Sequence, residues 1–297
     1  MPRVSVCIPT YNRPELLARS VESVFGQSFQ DFEVVISFDA GPCAADAFLK
    51  RYSDPRLRVM TQPVNLGIRE NFNACISASR GELIKPLGDD DELAPECLEA
   101  IVSASAAVDF VVVRDKLWRG VDAYRWPTIS GVKQRHRKAG LSWDRLLVDA
   151  ISPTNCAFSR RLWHLIGPYR SDVGMAFDYD FTVRAYAKFD TIVIDTPLCL
   201  FRQWSGSETV SHPRRLEAAG NIATILTRLA KLHPEHSGII ARRGRRLLAD
   251  TVLELCRGYR SDRLGCNSFR NVLGSTLELH RAWAVNGLRR CRSSMAR

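Results

Sequence analysis

The chain has 297 residues, 45% hydrophobic and 25% charged, a balance that supports a sizeable packed core and argues against disorder. Nine cysteines lie scattered without a Cys-x-x-Cys pair, and their odd number points to free thiols in a reducing compartment rather than a disulfide framework. The net charge of +10 belongs to the tail: residues 1–213 carry 25 Lys and Arg against 26 Asp and Glu, residues 214–297 carry 17 against 6.

The opening residues Val4 to Ile8 read as a core strand, without the apolar run and small-residue cleavage site of a secretion signal. No uncharged apolar run approaches the ~20 residues of a membrane-spanning helix, so a cytoplasmic location is expected. A helix follows, with Asn12 placed to cap it, Pro14 in its first turn and Glu15 able to complete a capping box. Leu16, Leu17, Ser20, Val21, Val24 and Phe25 form its inner face and Gly26 ends it. A strand over Glu33 to Phe38, a short helix near Ala44 to Tyr52, a strand near Leu57 to Thr61 and a helix from about Arg69 to Ser79 come next.

The strand Leu83 to Leu87 then runs into Gly88-Asp89-Asp90-Asp91-Glu92, and apolar residues at helical spacing resume at Cys97. Such β-α-β-α alternation predicts a mostly parallel sheet flanked by helices, with the acidic run in a strand-to-helix turn, where open α/β sheets bind ligands. Another strand is expected over Asp109 to Arg114. Residues 115–153 show no period and hold the basic cluster Lys133 to Lys138, either a functional loop or a solvated one. Thr154 to Ser159, helices over Arg160 to Ile166 and Asp178 to Lys188, and strands near Thr191 to Ile194 and Leu198 to Arg202 restore order. From Arg214 the pattern is helical. Ile240, Leu247, Leu248, Val252 and Leu255 oppose Arg242, Arg243, Arg245 and Arg246.

Three adjacent carboxylates repel one another and are costly to bury, so the acidic run implies a cation. No glycine-rich turn follows the first strand, where Pro9-Thr10-Tyr11-Asn12-Arg13 stands instead, and no phosphate-cradling loop occurs elsewhere. Phosphates would therefore be held through a metal, and Mg²⁺ or Mn²⁺ accepts carboxylate and phosphate oxygens together. The ligand expected is a diphosphate.

The segment Val4 to Arg13, the stretch Ser23 to Ile36, Asn65-Leu66-Gly67, the acidic run, Phe177 to Arg184 and Ile194 to Leu198 closely resemble the family 2 glycosyltransferases of the GT-A fold. The resemblance covers about residues 3–205. It implies a Rossmann-like GT-A domain, with a nucleotide-sugar half over residues 1–115 and an acceptor half over 116–213; the basic helical extension over 214–297 lies outside it. It also implies inverting transfer of a sugar from a nucleotide-diphosphate donor to an acceptor hydroxyl of a saccharide or lipid-linked molecule, in surface polysaccharide or glycolipid synthesis. On the matching positions Pro9, Thr10 and Tyr11 resemble the wall of the base pocket and Asp39 the carboxylate that pairs with the base. Asp89, Asp90 and Asp91 occupy the metal motif, with Asp90 best matching the ligand and Asp91 beside it. Asp178 matches the catalytic base, although its position alone favours a helix cap. Arg69 and Arg80 lie near the nucleotide half and are candidates for the base or diphosphate, each also readable as a solvated helix-surface arginine.

The chain departs from the family at Phe38, Gly88, Phe177 and Trp204. The last stands where a histidine is frequent and cannot ligate a metal. A sugar-nucleotide-binding scaffold that has lost catalysis is one rival reading, and a nucleotidyltransferase is another that lacks its glycine-rich loop. The tail reads either as an anchor to an anionic membrane face, peripheral to the cytoplasm, or as helices packed on the catalytic domain. Nucleic-acid binding lacks a reading motif, and oligomerisation is left open.

Overall fold

A computed structural model describes residues 1–40, 48, 50–139, 151–204, 212–240, 242 and 244. The helix expected near Ala44 to Tyr52 and the tail beyond residue 244 fall wholly or mainly outside them. The chain divides into two compact units: Met1–Leu141 with Ile151–Tyr169 and Phe181–Trp204, and Ser142–Ala150 with Arg170–Asp180 and Ser205–Arg297.

The first unit is built on a mixed sheet. Strands β1 (Val4–Thr10), β2 (Phe32–Phe38), β3 (Leu57–Thr61) and β4 (Leu83–Pro86) pair in the parallel order β3-β2-β1-β4. Every residue of β1, β2 and β4 is buried, which explains why they read as continuous apolar runs instead of alternating ones. The short strand β5 (Glu92–Leu93), β6 (Phe110–Arg119), β7 (Gln134–Arg137), β8 (Cys156–Ser159) and β9 (Thr191–Gln203) continue the sheet. There β8 joins β4 and β6 antiparallel, β6 and β9 run parallel, and β9 pairs antiparallel with β5 and β7.

Helix α1 (Pro14–Phe25) buries Leu16, Leu17, Ser20, Val21 and Val24, as the spacing predicts. Its capping differs from expectation. Arg13 is the cap residue and no side chain caps the helix, while Asn12 takes a φ of +54°, a conformation asparagine tolerates better than most residues. Helix α2 (Ile68–Ala78) precedes β4, and α3 (Cys97–Ser105) follows β5. The acidic run thus leads into a two-residue strand before the helix. Helix α4 (Arg160–Ile166) is capped by the Ser159 hydroxyl, which accepts the Leu162 N–H at 3.0 Å.

The irregular stretch is more ordered than its sequence suggests. β6 runs past Arg114 through a register shift between Val113 and Asp115, and the basic cluster contains β7, where Arg135 pairs with Asp195 and Lys138 with Asp190. The two segments expected near 191–202 form the single strand β9. Cys7, Cys75, Cys97, Cys156 and Cys199 are buried free thiols. No helix among the described residues is long and apolar enough to cross a membrane.

In the second unit a short 3₁₀ segment, Ser171–Ala176, leads into α5 (Phe177–Lys188), whose first four residues belong to this unit and whose remainder belongs to the first. Helix α6 (His212–Leu232) buries Ala223, Ile225, Leu226 and Ala230 and reaches the 3₁₀ segment through Arg228, which pairs with Asp172 at 2.7 Å. Gly174 has a φ of +52°, in the left-handed region that favours glycine, and the Asn221 side chain fills the space a Cβ would take.

Candidate active site

The site-forming groups of the first unit gather at the carboxyl ends of β1, β2 and β4, where a parallel sheet leaves its loops unpaired. Asp39, just past β2, is 3% exposed and accepts the Leu66 N–H at 2.6 Å and the Gly67 N–H at 2.9 Å. Its carboxylate therefore anchors the Asn65-Leu66-Gly67 turn. Pro9 and Thr10 end β1 in buried positions, whereas Tyr11 stands 50% exposed beside them. The Thr10 hydroxyl donates to Asp89 Oδ2 at 2.7 Å, which joins the first strand to the acidic run.

The three aspartates have different surroundings. Asp89 also accepts from Arg13 Nη1 at 3.1 Å, and burial, reinforced by the neighbouring Asp90, pushes its carboxyl up to about 6. Asp91 is 3% exposed; the Thr154 hydroxyl donates to its Oδ2, and the Arg202 backbone N–H donates to its Oδ1 at 2.9 Å. Burial and the Asp90 charge hold the Asp91 carboxyl well above the usual range. Asp90 has a side chain 14% exposed and an Oδ2 that accepts from Trp204 Nε1 at 3.0 Å and Arg13 Nη1 at 3.4 Å. Its Oδ1 accepts no hydrogen bond from the described residues.

That contrast tests the residues against a divalent cation. Asp90 offers one hard oxygen with no described donor; each oxygen of Asp91, expected beside it as a ligand, already accepts one protein donor. No group of three His, Cys, Asp or Glu among the described residues forms a ready cage. One carboxylate fits a cation that takes its remaining ligands from phosphate and water, the habit of Mg²⁺.

Several residues organising the site were not singled out by motif. Arg202, 1% exposed, places its guanidinium under the acidic turn, donating to the carbonyls of Asp90, Gly120 and Asp122 and to Glu92. Thr154 receives the Gly88 N–H at 3.1 Å while donating to Asp91, and the buried Lys85 ammonium donates to the Thr154 carbonyl. Gly88 is explained by crowding: a Cβ there would lie 2.8 Å from Asp91 Oδ2 and 3.2 Å from Asp90 Oδ1. Trp204, unable to ligate a metal, holds the carboxylate that matches the ligand.

The two further arginine candidates separate. Arg69, near the start of α2 just past the Asp39-anchored turn, pairs with Glu70 at 3.0 Å. Arg80 is a correction. Its backbone N–H donates to Glu33, whose position opposite Ser5 puts both residues at the amino ends of the strands, the far end of the sheet from Asp39 and Asp89.

In the second unit, Asp178 lies in the first turn of α5, where its Oδ1 accepts the adjacent Tyr179 N–H at 2.7 Å. Burial, only partly offset by backbone N–H donors, pushes its carboxyl up to about 6. Asp180, two residues on, is 6% exposed.

Residues 5–166 match Glycosyl transferase family 2, and the chain belongs to that family. Its fold is the GT-A fold. Over 190 residues it is 29% identical to the chondroitin synthase of Pasteurella multocida, a match covering 61% of this chain and 18% of that protein. The crystal structure of Staphylococcus aureus TarS residues 1–349 in complex with UDP-GlcNAc superposes with a TM-score of 0.71 at 18% identity, covering 94% of this chain and 81% of that one. The mannosyltransferase PcManGT from Pyrobaculum calidifontis, in complex with GDP-Man and Mn²⁺, gives a TM-score of 0.58 at 18% identity, covering 97% and 87%.

Proposed function

We propose that the chain transfers a glycosyl group, with inversion, from a nucleoside-diphosphate sugar to an acceptor hydroxyl during assembly of a surface polysaccharide or glycolipid. The observation that carries this reading is the Thr10–Asp89–Arg13–Asp90 constellation beside Asp39 at the carboxyl ends of parallel strands, in a family 2 chain. Structural neighbours solved with UDP-GlcNAc and with GDP-Man support the donor class, and a chondroitin synthase among the relatives supports the acceptor class.

In this reading Pro9, Thr10, Tyr11 and Asp39 enclose the base, with Asp39 also fixing the turn that borders it. Asp90 would hold Mn²⁺ or Mg²⁺, which would neutralise the departing diphosphate and so remove the need for a protein general acid. Asp178 accepts the acceptor proton as the acceptor oxygen bonds to the anomeric carbon and the carbon–phosphate-oxygen bond breaks. A carboxyl raised to about 6 is a stronger base than an ordinary aspartate and is still ionised at neutral pH.

Calorimetry with UDP- and GDP-sugars, with and without Mn²⁺, tests the donor and cation assignments. The wild-type chain should bind one donor in a Mn²⁺-dependent manner, and Asp90→Ala should lose that dependence while keeping its melting temperature. Unchanged donor affinity in the variant would remove Asp90 from its role.

A further inference from the structure

Arg13 sits between the acidic run and an aromatic ring. Its Nη1 lies 3.1 Å from Asp89 Oδ1 and 3.4 Å from Asp90 Oδ2, and its guanidinium carbon lies 5.5 Å from the centre of the Trp204 ring. The indole N–H of that ring donates to the same Asp90 oxygen at 3.0 Å. One carboxylate oxygen thus receives two donors, one of them charged, while the second carboxylate of the pair shares the same arginine. A bare dication approaching Asp90 meets a carboxylate whose charge is partly offset by the shared guanidinium, which also repels it. A diphosphate reverses that balance, because its oxygens compete for the guanidinium and its charge offsets the repulsion between arginine and cation.

We propose that Arg13, braced on Trp204, is a resident counter-charge that keeps the Asp89–Asp90 pair closed to a bare dication and transfers to the diphosphate when the donor arrives. The proposal rests on the donor reading above and makes Arg13 a positioning residue that sets cation affinity by the presence of diphosphate. Its signature is a pair of opposite effects. Removing the guanidinium strengthens binding of the cation alone, since the carboxylates lose their competitor, and weakens binding of the nucleoside diphosphate, which loses a partner. A salt bridge that only held the loop together would shift both in the same direction or shift neither.

The test uses the full chain, Mn²⁺ binding followed by electron paramagnetic resonance without nucleotide, and calorimetry of UDP and GDP in saturating Mn²⁺. Arg13→Gln should bind Mn²⁺ alone more tightly and UDP or GDP more weakly, each by roughly three- to tenfold, the scale of one partly screened charge interaction. Arg13→Lys keeps the charge and should leave Mn²⁺ binding as weak as in wild type, which covers the case in which the Gln variant folds poorly. Trp204→Phe keeps the ring and removes the N–H from Asp90, so it should raise Mn²⁺ affinity by a smaller factor and leave nucleotide affinity within about twofold. Parallel shifts in Arg13→Gln, or tight Mn²⁺ binding by wild type without nucleotide, overturn the counter-charge role. Failure of wild type to bind either nucleotide overturns the donor reading itself, and the proposal with it.

Discussion

The acidic turn and the turn that carries Asp178 both bury a carboxyl group and push it toward protonation, yet they handle the cost differently. Asp91 is satisfied by donors far away in sequence, the Thr154 hydroxyl and the Arg202 N–H, and it ties three segments together. Among the described residues, Asp178 is offset by backbone N–H groups at its own position and the next. Both carboxyls are raised, so what separates the two turns is connection: Asp91 fastens distant segments, whereas the described donors to Asp178 come from its own turn.

Exchanging each acid for a neutral residue is the sharpest way to break that contrast. Asp178→Asn should lower glycosyl transfer by roughly 10²- to 10⁴-fold while donor affinity in calorimetry stays near wild type. The same variant should not lose stability. Because the folded carboxyl is raised to about 6 from an ordinary value near 4, its stabilising contribution is complete below pH ~4 and is lost as pH rises through 6. At pH 7 the ionised acid costs at most about 3 kcal/mol, which asparagine removes, so thermal unfolding should show an unchanged or higher midpoint. A base of this kind also requires wild-type transfer to fall as pH drops below about 6. Activity in Asp178→Asn coupled with its loss in Asp180→Asn would shift the base by two residues.

Asp91→Ala should behave in the opposite sense. Leaving the Thr154 hydroxyl and the Arg202 N–H unpaired is expected to cost about 2–4 kcal/mol in urea unfolding. An Asp91→Ala protein as stable as wild type would erase the distinction between fastener and base. The smallest effect belongs to Gly88→Ala. The added methyl must displace the Asp91 or Asp90 carboxylate, at a cost of about 1–3 kcal/mol and a measurable fall in Mn²⁺-dependent donor affinity. Full retention of both would show that the turn has slack.

Much of the fold was legible because the core strands and helices carry strong periodicity: β3 and α4 fall where the spacing places them, and the inner face of α1 is buried as expected. What escaped had no periodic signal. A two-residue strand such as β5 offers none, the register shift in β6 breaks the alternation at Val113, and β7 is disguised by basic residues whose partners, Asp190 and Asp195, lie more than 50 residues further on. At the site, the motif placed Thr10, Asp39 and Asp89 together correctly, because adjacent parallel strands in register align their carboxyl ends. It marked Asp90 as the best match to the ligand but not what divides the surroundings of the three aspartates. That division depends on Thr154, Arg202 and Trp204, which reach the turn from 63 to 114 positions away and belong to no local pattern. Arg80 was misplaced for the converse reason: the short stretch of sequence between it and the acidic run spans the length of β4, so it lies at the opposite end of the sheet.

The arginine beneath the acidic turn has a consequence for motion. Arg202 is held by carbonyls at positions 90, 120 and 122 and by Glu92, and its own amide holds Asp91. Releasing any one of these segments takes a partner from a buried charge, so opening of the turn, of β5 and of the loop after β6 is expected to be coupled, which amide hydrogen exchange would show as matched protection. Asp90 and the start of the irregular loop are thereby tied through one guanidinium, although some thirty residues of chain separate them.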